Sequence, residues 1–84
     1  MAGYNGWKNR ATWNIALWIG NDEGLYNVAM DYVNRQKKAG KPIFYSGFIS
    51  YAGLVGERTP DRFSFSGKQL DRKELSVMLR EFAE

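Results

Sequence analysis

The chain has 84 residues with 12 Lys and Arg against 9 Asp and Glu, a formal charge of +3, and it contains 3 Trp, 5 Tyr and 5 Phe but no Cys and no His. Those two absences exclude disulfide scaffolds, Cys/His zinc sites, haem attachment, thiol nucleophiles and His-based triads. The length allows one domain that buries roughly 60–65% of its unfolded surface, with a stability of about 4–12 kcal/mol.

Residues 1–8 contain two glycines and no apolar period, which predicts an N-terminal arm ending near Trp7 and a single domain over 9–84. A first helix is predicted over 10–20. Asn9 is its cap, and Trp13, Ala16, Leu17 and Gly20 form an i, i+3, i+4, i+7 stripe, with Ile15, Trp18 and Ile19 filling the remaining circumference. Gly20-Asn21 then breaks the pattern. A second helix is predicted over 22–39, capped by Asn21, with Asp22 and Glu23 at its positive end and Lys37 and Lys38 at its negative end. Leu25, Val28, Ala29, Tyr32 and Val33 face the core, Asp31 and Arg35 can pair outside, and Gly40 and Pro42 stop the helix.

Residues 43–55 combine β-branched and aromatic residues without strict alternation. A lone strand would have nothing to pair with, so a helix over 42–53 is preferred, starting at Pro42 and gathering Phe44, Phe48, Tyr51 and Ala52. Glu57 to Gly67 is a loop with a Thr59-Pro60-Asp61 turn, pinned by Phe63 and Phe65. The last helix is predicted over 71–83: Asp71 and Glu74 form a capping box, Leu70 staples Leu75, and Leu75, Met78, Leu79 and Phe82 are its stripe. The expectation is an all-α, compact domain of about four helices.

The run Thr12-Trp13-Asn14, then Leu17-Trp18, then Asn21-Asp22-Glu23-Gly24-Leu25-Tyr26 resembles an uncharacterised family of small proteins encoded by bacteriophages, plasmids and some bacterial chromosomes. Thr59-Pro60-Asp61 and Leu70-Asp71-Arg72-Lys73-Glu74-Leu75 match the same family's T-P-D and L-D-x-x-E-L. Arg62 departs from the pattern, which has glycine after T-P-D. The resemblance implies an accessory protein of a mobile element and assigns no activity.

Candidate sites are few. Trp7, Trp18, Tyr26 and Tyr45 are aromatic residues beyond what the predicted core needs, so they are candidate partner-binding residues. Lys8, Arg10, Arg35, Lys37, Lys38 and Lys41 are a candidate basic patch able to follow phosphates, although for the last four a solvated helix end satisfying the dipole is the usual outcome. Thr12, Asn14, Asn21 and Asp22 read as caps and inter-helix hydrogen bonds before they read as a pocket. Ser66-Gly67-Lys68 lacks the upstream glycines of a phosphate loop. No catalytic set, metal site or cofactor is expected.

The apolar residues never run long enough for a membrane span, and the start lacks a basic segment followed by an apolar one, so a cytoplasmic location is expected. The basic balance argues against a DNA mimic, which would be strongly acidic. The functional expectation is a non-enzymatic protein that docks on a host protein or nucleoprotein complex, as an inhibitor or modulator of anti-CRISPR or anti-restriction type. The alternative is a nucleic-acid-binding module using the basic end of the second helix. The chain is expected as a monomer or a homodimer.

Overall fold

The computed structural model describes residues 4–84, which fold into four helices with no extended strand: α1 (Arg10–Asn21), α2 (Glu23–Ala39), α3 (Tyr45–Ala52) and α4 (Arg72–Phe82). The all-α expectation therefore holds. Residues 1–3 of the expected arm lie outside the described residues; within residues 4–8 the chain forms a tight turn. Tyr4 and Trp7 exchange both backbone hydrogen bonds, at 2.6 and 2.9 Å, around Asn5 (φ 52°) and Gly6 (φ 89°). An Asn-Gly pair is the sequence that tolerates two successive left-handed residues. The turn holds the Tyr4 ring edge-on to Trp13, with centroids 4.9 Å apart.

α2 and α4 form the central pair, each packed on all three other helices, while α1 and α3 flank them without being neighbours. α1 passes into α2 through one residue. Asp22 donates its N–H to the Trp18 carbonyl, closing α1, and its carboxylate accepts the Leu25 N–H at 2.9 Å, opening α2. This corrects the expected Asn21 cap: α1 runs through Asn21, so Asp22 is the first extended residue. α2 ends as expected at Gly40, in the left-handed region at φ 69°.

The buried face of α1 is not the Trp13, Ala16, Leu17, Gly20 stripe. Ala11, Ile15 and Ile19 are buried with Thr12, Asn14 and Ala16, whereas Trp13 and Leu17 are half-buried and Gly20 is exposed. The helix is rotated because burial of Thr12 and Asn14 brings hydrogen bonds with later segments, described below. α3 is also displaced. It starts at Tyr45, not Pro42, with extended Phe44 as its N-cap, so its core stripe is Tyr45, Phe48, Ile49 and the half-buried Ala52. Phe44 and Tyr51, expected inside, are 48% and 44% exposed.

Gly47 is a position where the fold needs glycine for space. A Cβ there would collide with the Tyr32 hydroxyl, which donates to the Phe44 carbonyl at 3.2 Å. Gly47→Ala is expected to cost about 1–2 kcal/mol, since the overpacking outweighs the better helix propensity of alanine. Urea unfolding checks this. In a Tyr32→Phe background, which removes the obstructing oxygen, the same change should become neutral or stabilising.

α4 keeps half of its expected capping box. Asp71 accepts the Glu74 N–H at 3.0 Å, but the Glu74 carboxylate accepts the Lys8 N–H at 2.8 Å instead of bonding back to Asp71. The Asp71 N–H donates to Thr12 Oγ1 at 2.9 Å. Both groups have thus exchanged a local partner for one on the N-terminal segment. The staple residues Leu70 and Leu75 are both buried, as expected.

Candidate functional site

The polar residues of the sequence motifs are brought together, and their first role is to join distant segments. Asn9 Oδ1 accepts from the Thr12 N–H at 2.8 Å and the Thr12 hydroxyl at 2.7 Å, while Asn9 Nδ2 donates to the Gln69 carbonyl at 2.7 Å. Asn14, 2% exposed, donates through Nδ2 to Asp61 at 2.7 Å and accepts the Thr59 hydroxyl at 2.9 Å. Trp18 Nε1 donates to the same Asp61 oxygen at 3.0 Å. The T-W-N, L-W and T-P-D segments therefore form one clamp that holds the 57–67 loop on α1.

This clamp makes Asp61 a structural acceptor. The hydrogen bonds from Asn14 and then Trp18 hold its carboxyl below the ordinary 3.8, assisted by the charge of Arg10. Asp31 is lowered too, first by the Tyr51 hydroxyl and then by Arg35 Nε at 3.1 Å. Depressed folded-state values favour folding only where the carboxylates are ionised. Stability is expected to be flat from about pH 7 to roughly pH 5 and to fall as the pH drops below the ordinary carboxyl value toward the folded ones. Asp61→Asn should lessen that acid decline, measured as urea midpoints at successive pH values.

Arg62 stands where a glycine is expected after the Thr59-Pro60-Asp61 turn. Its φ is 73°, in the left-handed region that favours glycine. Arg62→Gly should raise stability by about 0.5 kcal/mol, because the strain of about 1–2 kcal/mol at such a position exceeds the added chain entropy of about 0.4–1 kcal/mol. Urea denaturation tests it.

The four candidate aromatics divide three ways. Tyr45 is fully buried, so its assignment to a partner surface is corrected: its hydroxyl donates to the Phe65 carbonyl at 2.5 Å, its N–H to Ser76 Oγ at 2.8 Å, and burial pushes its phenol pKa up. Trp18 is half-buried and lines a groove of about 370 Å³ with Leu17, Asn21, Asp22 and Glu23. Trp7 and Tyr26 converge on one face of α4. Trp7 lines a groove of about 380 Å³ with Val77 and Met78, rimmed by Asp71, Glu74 and Glu81 with Lys73 as its one cation. One turn beyond Met78, Phe82 meets the exposed Tyr26 ring edge-on at 5.4 Å. Trp7, Met78, Phe82 and Tyr26 thus follow a single helix face, with Val77 43% exposed beside them.

The candidate basic patch does not form as one surface. Lys8 lies at the start of α4, through Glu74, and Lys37 at its end, where Nζ donates to the Ala83 carbonyl at 2.8 Å. Those ends are about 15 Å apart along an 11-residue helix. Arg10 lies over the Phe63 ring, and Arg35 is paired with Asp31 over Tyr51. Lys38 and Lys41 remain beside Arg35 on a shallow groove at the end of α2. Among the described residues no group of three or more carboxylates, with His and Cys absent, is placed to hold a metal ion. Among the described residues no helix is long and apolar enough to cross a membrane. The sequence reading missed Val77 and Met78 as surface residues; their signal was an apolar pair at positions 77 and 78 between Glu74 and Glu81.

A family model described as Family of unknown function (DUF7249) matches residues 1–84. No curated protein and no solved structure matches the chain.

Proposed function

The chain belongs to that family of unknown function, and from this premise we propose that it is a non-enzymatic accessory protein that docks on a host protein through the α4 groove. The observation that carries the proposal is the combination in that groove of an apolar floor, Trp7, Val77 and Met78, with a rim of three carboxylates against one lysine. Such a rim selects by charge. Its complement is a partner segment with apolar residues flanked by Lys or Arg, since opposite potentials across an interface steer association and suppress wrong partners. The size of the groove suits a few side chains, and the flanking Tyr26 and Phe82 extend the contact along the helix. The mobile-element setting, with action in the host cytoplasm as an inhibitor or modulator of a defence complex, draws its support from the motifs at 12–26 and 59–75. The rival reading, nucleic-acid binding through the end of α2, draws less, because Arg35 and Lys37 there already have partners within the fold.

A photo-crosslinking amino acid at Val77, with a second at the exposed Asn34 as control, tests the proposal in host lysate. The expected result is a host protein captured from position 77 alone, through a peptide rich in apolar and basic residues. Glu81→Lys should weaken that capture while far-UV circular dichroism stays unchanged. Capture of nucleic acid only, of a second copy of the chain only, or of the same material from both positions would refute it.

A further inference from the structure

The other side of α4 carries a second feature, which shares only Lys73 with the proposed docking groove. Arg72, Ser76 and Arg80 recur at i, i+4, i+8, and with Lys73 they face the start of α3 across a cleft of about 280 Å³ that Phe44 and Ser46 complete. No carboxylate lines this cleft. Among the described residues the single ion pair is Arg35 with Asp31, so Arg72, Lys73 and Arg80 have no anionic partner in the protein. Arg72 and Arg80 repel each other across one small concavity, with Lys73 at its edge toward the carboxylates of the other groove, and an anion placed between them relieves that repulsion.

The two arginines are also positioned rather than free. Arg80 Nε donates to the Ile43 carbonyl at 3.0 Å, and its guanidinium lies 5.3 Å from the Phe44 ring centre. Arg72 Nη2 donates to the Ser66 carbonyl at 3.3 Å, and its guanidinium lies 6.0 Å from the Tyr45 ring centre. Each contact occupies one nitrogen and leaves further N–H groups for a ligand. A guanidinium held this way loses less freedom on binding, and its fork matches the oxygens of a phosphate. Phe44 supplies no side-chain cap to α3, and although Ser76 Oγ takes the Tyr45 N–H, the positive end of that helix adds to the same field.

We propose that the cleft formed by Phe44 and Ser46 with Arg72, Lys73 and Arg80 binds a phosphate group, as the free ion or as a monoester. A phosphate monoester is doubly charged near neutral pH, which suits three cations better than a singly charged carboxylate or phosphodiester. The exposed Phe44 ring at the mouth of the cleft offers a flat apolar surface to whatever carries the ester.

The test is a backbone and arginine-side-chain NMR titration at constant ionic strength, with inorganic phosphate, adenosine 5′-monophosphate and adenosine as separate probes. Saturable shifts of Ser46, Gly47 and the Arg72 and Arg80 Nε–H signals are expected with both phosphates and not with adenosine. Arg72→Gln, Lys73→Gln and Arg80→Gln should each weaken binding about tenfold, the effect of one charge-assisted contact, and Lys38→Gln/Lys41→Gln should leave it unchanged. Tighter binding of the nucleotide than of phosphate would identify an ester ligand stacked on Phe44; equal binding would identify the phosphate itself, and both results sustain the site. Shifts that never saturate would overturn it. So would adenosine binding as tightly as its phosphate, three glutamine variants that bind like the parent, or an equal loss in the Lys38/Lys41 variant.

Discussion

Tyr45→Ala is expected to leave the domain at the edge of unfolding. The ring is fully buried where α3 meets α4, tilted against Phe48 with centroids 6.2 Å apart. Removing a buried aromatic side chain costs about 3–5 kcal/mol. The Phe65 carbonyl, which accepts the Tyr45 hydroxyl, would lose its partner inside the protein, adding about 1–3 kcal/mol. The sum, about 4–8 kcal/mol, compares with a total of about 4–12 kcal/mol for a chain of this length. Tyr45→Phe separates the two contributions, since it keeps the ring and should lose about 1–3 kcal/mol. Chemical denaturation followed by circular dichroism gives both numbers. A Tyr45→Ala protein within about 1 kcal/mol of the parent would mean that α3 is not anchored through this ring.

The second large effect is expected at Asn14. Alanine there removes the donor to Asp61 and the acceptor for Thr59, and it leaves the Thr59 O–H without an acceptor in a residue only 4% exposed, its oxygen keeping only the Phe63 N–H. A loss of about 2–3 kcal/mol follows from two hydrogen bonds and one orphaned buried group. For a domain of this size that lowers the melting temperature by roughly 10–20 °C. The loss should be non-additive. Thr59→Ala removes the orphan, so the double variant should be more stable than the sum of the single effects implies, and a double-mutant cycle by calorimetry reads the coupling. Strict additivity would show that the two side chains act independently and that the clamp is not a unit.

These two residues also mark where the sequence was legible. The four helices, the Asn9, Asp71 and Gly40 caps, the Asp31–Arg35 pair and the 57–67 loop follow from local rules, because their partners lie within a few residues. Rotation of the helices did not. Around α3, a stripe of Phe44, Phe48, Tyr51 and Ala52 and one of Tyr45, Phe48, Ile49 and Ala52 are equally regular and share two members. The choice is made by Ser76 and the Phe65 carbonyl, 31 and 20 residues away. On α1 the same ambiguity is resolved by Asp61, Thr59 and Asp71. The docking groove was half visible: Trp7 and Tyr26 stood out as surplus aromatics, but Met78 looked like part of a core stripe and Val77 was singled out by nothing. The phosphate cleft was invisible, because Phe44 and Arg80 are 36 positions apart and neither completes a motif.

The clamp between α1 and the last third of the chain has a consequence for how the protein is made. Synthesis proceeds from the N-terminus, so α1 and α2 are made before Thr59, Asp61, Asp71 and Glu74 exist as hydrogen-bond partners. Until then Thr12 and Asn14 must stay hydrated, which keeps the inner face of α1 from closing on α2 in its final rotation. The nascent helical pair is thus held open by its own polar residues, and completion of the fold waits for the C-terminal segment, with loops of some 45–66 residues closing at once.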